Sequence, residues 1–542
     1  MEQAIREINS IMQKEQWNAA ISMIYNALGT NAQESELYFM LAQCKEMLGE
    51  WQQAALSYQN ALFWSKGEDF EIIKECYLGF LENCPVVLPN VSIVLVTYNQ
   101  LEYTKLCVES IRYNNLFGTY EIIIVDNQST DGTREWLLEQ DDIKVILNDK
   151  NSGFPTACNQ GAEIAAHGND IFLLNNDTIV MANSIYNLRM ALYEKENIGV
   201  TGACSNSVSN AQQIEEEYSN IEEYARYAIQ NNYYSVNRHE KRLKLVGFAM
   251  MFRRKVWEDV DGLDERYGIG NCEDDDISLK ILSHGFLLVF CKDSFIYHFG
   301  SQSFKQIGDR YKKILAENKL KFQEKWGIQQ GYFALTRYDI LSLLEMGDEN
   351  LNVLEVGCGF GATLLEIKNR NKNARVFGVE INQKVTEIAS KYLNILQGDI
   401  QVMDNPFDVE FDCIILGDVL EHLYNPKQII IKLKKWMKPE GIFLICVPNI
   451  AHISVVMDLL HGKFTYEDAG ILDRTHLRFF TAEELANMVE ECGLEIEEFM
   501  QKTSVGSEEE KIYIERLCGI DPSISKQELS AYQYIIRATV RS

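Results

Sequence analysis

Long hydrophobic runs are absent from this sequence. No segment approaches the roughly 18 uninterrupted apolar residues that a membrane-spanning helix needs. The first residues, MEQAIREINSIMQKEQW, also have no apolar core of the kind found in secretion signals. We therefore expect a soluble protein of the cytoplasm, without a transmembrane segment.

Cysteine pairs and proline are scarce as well. The 13 cysteines include no C-x-x-C pair, and several, such as Cys107, Cys291 and Cys446, lie inside apolar runs. This scatter indicates reduced, buried thiols and argues against a zinc site or a disulfide framework. With only 8 prolines and no low-complexity stretch, the linkers are expected to be short and helical.

Basic residues are fewer than acidic ones. The 542 residues contain 51 Lys and Arg against 79 Asp and Glu, which gives a formal net charge of −28. Most of the surface would repel a polyanion, so a nucleic-acid partner is not expected. A chain of this length predicts about three domains.

Residues 1–88 have a helical pattern with an internal repeat. Trp17 and Ala20 recur 34 residues later as Trp51 and Ala54. A period of 34 residues is that of tetratricopeptide helix pairs, and the small alanines allow two helices to approach closely. Two repeats and one further helix make a short array, for which recognition of a protein partner and packing against the next domain are both open.

Residues 89–303 alternate short apolar runs with helical patterns, which predicts a parallel sheet covered on both faces. Ligands of such sheets bind at the carboxyl ends of the strands. Polar segments follow each of the first four runs, VSIVLVTY, YEIIIVD, IKVIL and DIFLLN. Their recurrence favours a binding site over ordinary turns.

Four consecutive acids, Glu273 to Asp276, open an amphipathic helix in GNCEDDDISLKILSHGF. The helix dipole favours acids there, so capping is their simplest role. Four acids exceed what capping needs, and mutual repulsion would raise the pKa of one of them toward that of a general base. His298 ends a later apolar run, where a lone histidine is more often structural than a ligand.

In this order, the segments VTYN, VDNQSTDGT, NSGF, LLNNDT, GFAMMFRR and CEDDD resemble the family 2 glycosyltransferases of GT-A fold. The resemblance implies inverting transfer of a sugar from a nucleotide-diphospho-sugar, with Asp274 taking the acceptor proton and with base and ribose near Thr97, Asp126 and Asn127. The implied residues for the sugar nucleotide are Thr97, Tyr98, Asn99, Asp126, Asn127, Gly153, Asn176, Asp177 and Gly247.

A divalent metal is part of the same expectation. A departing diphosphate develops negative charge, which Mn²⁺ or Mg²⁺ on a carboxylate would offset. The resemblance implies that Asp177 binds this ion and that His298 is an additional metal or phosphate contact. Asn175 stands where the family's D-x-D pattern has its first acid. We therefore expect the ion to be held loosely and shared with the substrate.

A helical linker is predicted over residues 304–345, with one helix over Tyr332–Met346, and a second α/β block over residues 346–542. In this block LEVGCGFG places three glycines between a strand and a helix, so that the backbone can approach a ligand. Glu380 ends the next strand, where its carboxylate can bind both hydroxyls of a ribose. A nicotinamide dehydrogenase would show the same pattern and is kept as the alternative. The late run YQYIIRATV predicts an antiparallel edge strand.

With QGD, GDVLEHL and LDRTHLRFFTAEEL, this block resembles the class I S-adenosylmethionine-dependent methyltransferases. The resemblance places the ribose at Glu380, the adenine at Asp399 and the sulfonium side at Asp418. The implied residues for S-adenosylmethionine are Glu355, Gly357, Gly359, Gly361, Glu380, Asp399 and Asp418. His422 or His476 would serve as the base for a hydroxyl or amine acceptor, but a satisfied structural imidazole is the simpler reading of each. Methyl transfer needs proximity more than a base.

The predicted fold is an α/β multidomain chain with an N-terminal α-helical repeat, a GT-A nucleotide-diphospho-sugar transferase fold and a Rossmann-like class I methyltransferase fold. The expected function is sugar transfer, of a hexosyl or N-acetylhexosaminyl type, plus methylation in the same glycan pathway. The repeats beside a glycosyltransferase resemble enzymes that modify protein Ser or Thr, such as those acting on flagellin. A lipid-linked glycan acceptor is the alternative, and an inactive scaffold whose repeats recruit partners is the alternative of another class.

Overall fold

The computed structural model describes residues 1–300, 309–347 and 349–540, with only the backbone of residues 309–311. The chain divides into two compact units, Met1–Gln330 and Gly331–Ser542. The first residues of the predicted linker, 304–308, and the last of the predicted sugar-transfer domain, 301–303, lie outside the described residues.

Five helices begin the first unit, and each packs against the next along the chain. They are α1 (Glu2–Met12), α2 (Trp17–Leu28), α3 (Ser35–Met47), α4 (Trp51–Trp64) and α5 (Glu68–Asn83). Trp17 and Trp51 each begin a helix, and Ala20 and Ala54 are fully buried within those helices. The helical pattern of residues 1–88 is therefore confirmed, while its reading as tetratricopeptide repeats stays a prediction.

The first sheet has nine strands. They are β1 (Val91–Thr97), β2 (Tyr120–Asp126), β3 (Ile143–Leu147), β4 (Asp170–Asn175), β5 (Thr178–Val180), β6 (Ile198–Cys204), β7 (His239–Arg242), β8 (Ala249–Phe252) and β9 (Leu287–His298). Their order is β3-β2-β1-β4-β8-β6-β9-β5, and β7 pairs with β9.

Strands β1 to β4 pair in parallel, as the sequence predicts. The prediction of a wholly parallel sheet is wrong, because β8 runs antiparallel to both β4 and β6, and β5 and β7 run antiparallel to β9, although β6 and β9 pair in parallel. An apolar run predicts a strand but not its direction, which depends on pairing partners far along the chain.

The helices that flank this sheet and close the first unit are α6 (Leu101–Asn114), α7 (Thr133–Leu138), α8 (Phe154–Glu163), α9 (Ser184–Leu192), α10 (Ile221–Asn231), α11 (Arg254–Asp259), α12 (Glu273–Ser283), α13 (Asp309–Trp326) and α14 (Gln330–Phe333). Single 3₁₀ turns occur at Val236–Arg238 and Glu265–Tyr267.

Helix α4 packs directly on α9 of the sheet domain, and Tyr38 of α3 contacts the ring of Tyr186 on α9. Asn183, which precedes α9 with a positive φ of 60°, donates from its side-chain amide to Ala32 O (2.9 Å), Tyr38 Oη (3.1 Å) and Asn232 O (3.2 Å). Its Oδ1 accepts from Trp64 Nε1 at 3.1 Å. The structure thus shows packing, one of the two roles left open by the sequence, while recognition of a protein partner stays a prediction.

The second unit contains a seven-stranded sheet in the order β12-β11-β10-β13-β14-β16-β15. Its strands are β10 (Asn352–Val356), β11 (Arg375–Glu380), β12 (Asn394–Gln397), β13 (Phe411–Gly417), β14 (Met437–Pro448), β15 (Leu494–Thr503) and β16 (Ala531–Val540). Strands β10 to β14 are parallel, whereas β16 is antiparallel to both its neighbours. The predicted edge strand is thus antiparallel, but it is interior, because β15 pairs with its far side.

Its helices are α15 (Tyr338–Leu341), α16 (Ala362–Arg370), α17 (Gln383–Ala389), α18 (Pro426–Lys434), α19 (Ile453–Leu460), α20 (Ala482–Glu491), α21 (Glu508–Ile520) and α22 (Lys526–Ser530), with a 3₁₀ turn at Leu420–His422. The single helix predicted over Tyr332–Met346 is wrong. The chain breaks before α15 because the Arg337 backbone N–H bonds Thr363 Oγ1 (3.3 Å) and its guanidinium turns to Asp418.

No helix among the described residues combines the length and the apolar character that a membrane crossing requires.

We expect Asn183→Ala to lower the free energy of unfolding of the first unit by about 2–4 kcal/mol, because several buried polar groups lose the hydrogen bond that Asn183 makes to them. Denaturant melts followed by intrinsic fluorescence measure the change. Asn31→Ala, which removes only an exposed contact to Glu34, is the matched control. Equal stability of the two variants would contradict this role of Asn183.

Candidate active sites

The carboxyl ends of β1, β2 and β4 meet at one edge of the first sheet. Thr97 and Asp126 are register partners, and Val96 is paired with Asn175. Asp126 is fully buried, and its carboxylate accepts from the backbone N–H groups of Gln128 (3.1 Å) and Ser129 (3.0 Å). Asp126 is therefore fixed by its own loop at the edge where the sequence predicts the donor site.

The loop after β1 is tied to the loop after β2. Asn99 has a positive φ of 58°, and its backbone N–H donates to Ser129 Oγ at 2.6 Å. Its side-chain Oδ1 accepts from Thr130 N at 2.8 Å. Tyr98 beside it is 42% exposed, so its ring is available to a ligand.

The loop after β3 joins the same edge. Asn127 Nδ2 donates to Gly153 O at 3.3 Å, and Asn127 Oδ1 accepts from Ser152 Oγ at 2.9 Å. Gly153 has a φ of 88°, and a Cβ there would lie 2.0 Å from Gly268 O. Only glycine fits this position, because the loop after β3 touches the loop that leads into α12.

Asp177 and His298 face each other at the end of β4 and β9. His298 Nδ1 lies 2.7 Å from Ser207 O, so this nitrogen carries a proton and donates it. His298 Nε2 then faces Asp177 Oδ1 at 3.1 Å. Burial lowers the pKa of His298, but the hydrogen bond and the charge of Asp177 outweigh burial and raise this pKa overall.

This geometry allows a test of the expected metal. An unprotonated Nε2 and a carboxylate oxygen at 3.1 Å are two acceptors, so either a second proton on His298 or a cation must lie between them. One carboxylate and one imidazole are suitable ligands for Mn²⁺, and a diphosphate would complete its shell. The pair Asp177 and His298 thus fits a divalent ion shared with a substrate. The Asn176 amide donates to Thr97 Oγ1 (3.3 Å) and Thr104 Oγ1 (3.0 Å), so it contacts another of the residues predicted for the donor site.

The four acids of α12 fall into two pairs. Asp275 bonds Lys244 Nζ (2.8 Å), and Asp276 bonds Lys325 Nζ (2.7 Å) and Trp326 Nε1 (2.8 Å), so both anchor the helix.

Glu273 and Asp274 form the second pair, and backbone groups hold both. The Asp274 carboxylate accepts from Asp275 N at 2.9 Å and from Gly247 N, whereas Glu273 Oε2 has no partner among the described residues. Burial, followed by the charge of Asp274, raises the pKa of Glu273, and burial with the charge of Asp275 raises the pKa of Asp274. These are the acids available for proton transfer.

One short segment before β8 connects these acids to Asp177 and His298. A Cβ on Gly247 would lie 3.6 Å from the Cβ of Asp274. Its neighbour Phe248 accepts from Asn175 N at 2.8 Å through its carbonyl oxygen and stacks on the His298 ring with centroids 5.4 Å apart. The acid pair and the Asp177–His298 pair therefore flank the same two residues.

The glycine loop of the second unit runs from β10 into α16. Gly357, Gly359 and Gly361 all have positive φ values, of 68°, 53° and 80°. Glu380 accepts from Gly359 N (2.9 Å) and from Asn382 N (2.8 Å), so both oxygens are engaged at the loop.

A cavity of about 1040 Å³ opens beside this loop. It is lined by six of the residues predicted from sequence, namely Glu355, Gly357, Gly359, Asp418, His422 and His476. Gly361, Glu380 and Asp399 do not line it; Asp399 Oδ1 accepts from Gln401 N at 2.9 Å. Glu355 Oε2 is buried and has no partner among the described residues, and burial raises the pKa of Glu355 to about 8. Such an orphaned carboxylate fits a cationic ligand at the glycine loop.

Sequence reasoning missed two charged residues of this cavity. Arg337 pairs with Asp418 and with Asp339 (3.1 Å), so Asp418 is already neutralised. Glu421 is 1% exposed, and neither of its oxygens has a hydrogen-bond partner among the described residues. Burial, with the charge of Asp418, raises the pKa of Glu421 well above its usual range. The sequence signal that could have identified Glu421 is its position between Asp418 and His422 in GDVLEHL.

The two predicted histidines lie together beside Glu421. Their ring centroids are 4.8 Å apart, and His476 Nδ1 is held by Ile471 O at 2.9 Å. His476 Nε2 is 4.0 Å from Glu421 Oε1. Burial, then the charge of His476, lowers the pKa of His422. A neutral imidazole next to a cavity is able to accept a proton.

Comparison with known proteins gives two matches to family models. The glycosyl transferase family 2 model matches residues 92–261, and a methyltransferase domain model matches residues 328–498. Helix α12 and His298 lie beyond the first match.

The chain is 33% identical over 134 residues to the mitochondrial ubiquinone biosynthesis O-methyltransferase of Dictyostelium discoideum, which covers 22% of this chain and 41% of that protein. It is 27% identical over 158 residues to the ubiquinone biosynthesis O-methyltransferase of Rickettsia bellii, covering 28% of this chain and 63% of that one. The chain therefore spans less than two thirds of either relative.

Two solved structures are similar in parts. A mannosyltransferase from Pyrobaculum calidifontis, in complex with GDP-Man and Mn²⁺, is 18% identical with a TM-score of 0.30, over 40% of this chain and 58% of that one. A SAM-dependent methyltransferase from Archaeoglobus fulgidus is 19% identical with a TM-score of 0.29, over 41% of this chain and 98% of that one. The chain thus carries two enzyme domains, a family 2 glycosyltransferase domain and a methyltransferase domain.

Proposed function

We propose that the chain transfers a sugar, with inversion, from a nucleotide-diphospho-sugar to an acceptor hydroxyl, and methylates a compound of the same glycan pathway with S-adenosylmethionine. The observation that carries the first activity is the placement of Glu273 and Asp274 on one side of Gly247–Phe248 and of Asp177 and His298 on the other. This arrangement supports a base and a cation-binding pair at one edge of the sheet.

In the sugar-transfer site, Asp274 takes the proton of the acceptor hydroxyl. The acceptor oxygen at the same time attacks the sugar from the face opposite the diphosphate. Asp126 and Asn127 hold the base and ribose, and Tyr98 lies beside them. Asp177 and His298 would hold a divalent metal, which supplies Lewis-acid charge to the leaving diphosphate.

In the methyl-transfer site, the glycine loop and Glu380 would hold the nucleoside part of S-adenosylmethionine, and Glu355 would offer its carboxylate to the ammonium group. The bound cofactor supplies an electrophilic methyl group. The chain's own residues orient the acceptor, and His422 or His476, which lie together beside Glu421, accepts the proton that the acceptor loses. Glu355 with its unpartnered oxygen supports a cationic cofactor more directly than a nicotinamide dinucleotide.

For the sugar acceptor we propose the hydroxyl of a protein Ser or Thr, as in flagellin. A lipid-linked glycan is the alternative acceptor. The helical array supports a protein acceptor, since packing of α4 on α9 occupies only part of its surface. Purified flagellin and a lipid-linked glycan, offered separately with a panel of nucleotide sugars, distinguish the two by the mass of the product. Release of nucleoside diphosphate from the panel excludes an inactive scaffold.

We expect Asp274→Asn to lower sugar transfer by at least about 100-fold, because the amide cannot accept the acceptor proton. Nucleotide binding, measured by isothermal titration, should be unchanged. Asp141→Asn, an exposed acid remote from the site, is the control. Full activity of Asp274→Asn would refute the assignment of the base.

The pH dependence of sugar transfer follows from the raised pKa of Asp274. A general base works only when deprotonated, so activity should fall as pH decreases through this pKa, well above the ordinary aspartate value of about 3.9. The quantity to measure is kcat/KM across the acid range. An acid limb at the ordinary value would show that no buried acid is required.

We expect Gly359→Val to weaken S-adenosylmethionine binding by more than about 10-fold, because a side chain there blocks the approach of the ligand to the backbone. A Cβ at Gly359 meets no protein atom within 4 Å, so the loss would come from the ligand. Gly462→Val, at a φ of 73° and equally open but outside the cavity, controls for backbone strain. Isothermal titration with the full chain measures the S-adenosylmethionine affinity of both variants. Equal affinities would refute binding of the cofactor at this loop.

A further inference from the structure

The loop that leads into α12 has an unusual backbone. Between the 3₁₀ turn Glu265–Tyr267 and α12, the residues Gly268, Gly270, Asn271 and Cys272 all have positive φ values. Two of these residues have a Cβ, and such conformations persist only when surrounding groups enforce them.

A residue from outside this loop binds both of its ends. Asn318 lies on α13, is 1% exposed, and donates from its side-chain amide to Tyr267 O (2.8 Å), Gly270 O (2.8 Å) and Asn271 O (3.1 Å). Its Oδ1 accepts from Lys321 Nζ at 2.9 Å, which fixes the orientation of the amide. The two N–H groups of a single side chain thus reach three carbonyl oxygens of the strained loop, with one hydrogen shared between two of them.

The loop in turn carries the proposed base. The Glu273 carboxylate accepts from the backbone N–H of Asn271, and Asp274 follows directly in the chain. Asp275 and Asp276 have side-chain anchors, whereas the hydrogen bonds recorded for Glu273 and Asp274 come from backbone N–H groups. The direction of these two carboxylates therefore depends on the backbone that Asn318 holds.

We propose that Asn318 is a positioning residue for sugar transfer, which fixes the loop 268–272 and through it the acid pair Glu273–Asp274. Helix α13, predicted from sequence as part of a linker, would then be part of the sugar-transfer machinery. This inference rests on the proposed function of Asp274.

The test is Asn318→Ala in the full chain, with release of nucleoside diphosphate from the nucleotide-sugar panel as the assay. We expect kcat to fall at least about 10-fold with the donor KM within about 2-fold, and the acid limb of the pH profile to move. Phe322→Leu is the matched control, because it loosens the packing of the same helix at a fully buried side chain, and a phenyl ring donates no hydrogen bond to a carbonyl. An unchanged kcat, or an equal loss in both variants, would overturn the proposal.

Hydrogen exchange separates this proposal from the proposed function. Asn318→Ala should increase amide exchange in residues 268–274 while exchange in β1 and β2 stays as in the parent protein. Unchanged exchange in the loop overturns the positioning role even if the parent is active. A parent protein that hydrolyses no donor overturns the proposed function instead, and the exchange result then decides the structural part alone.

Discussion

Hydrogen bonds from backbone N–H groups to buried carboxylates are the interaction on which both sites depend. Asp126, Glu273 and Asp274 in the first unit and Glu380 in the second all accept from N–H groups of adjacent loops. A buried ionised carboxylate is costly unless such donors surround it. The chain must therefore bend sharply beside each acid, and this explains why left-handed residues gather at the same points.

The strand ends of both sheets could be predicted from the sequence because periodicity and parallel pairing are local signals. Thr97 and Asp126 end neighbouring apolar runs, and the register places them side by side. Glu380 likewise ends the run after the glycine loop. Wherever a site residue stands directly after an apolar run, its approximate position followed from the pattern alone.

The remaining features required contacts between residues far apart in the chain. The direction of β8 and the interior position of β16 in its sheet depend on which strands pair with them, and hydrophobic periodicity does not predict these partners. Arg337 interrupts a good helical pattern, since its partly buried ion pair with Asp418 and its backbone bond to Thr363 outweigh helix propensity. Asn318 lies in a segment with no motif, and only its three carbonyl partners identify it.

The contact between Gly153 and Gly268 joins the loop after β3 to the loop before α12 without any side chain between them. Two backbones in van der Waals contact cannot shift independently, because there is no flexible group to absorb a displacement. In the proposed sugar-transfer site, binding of the donor at the loop after β3 and the position of the proposed base Asp274 would therefore be coupled. A sugar nucleotide that fits poorly against Gly153 would also displace Asp274, and the enzyme would then discriminate among donors at a distance from the sugar itself.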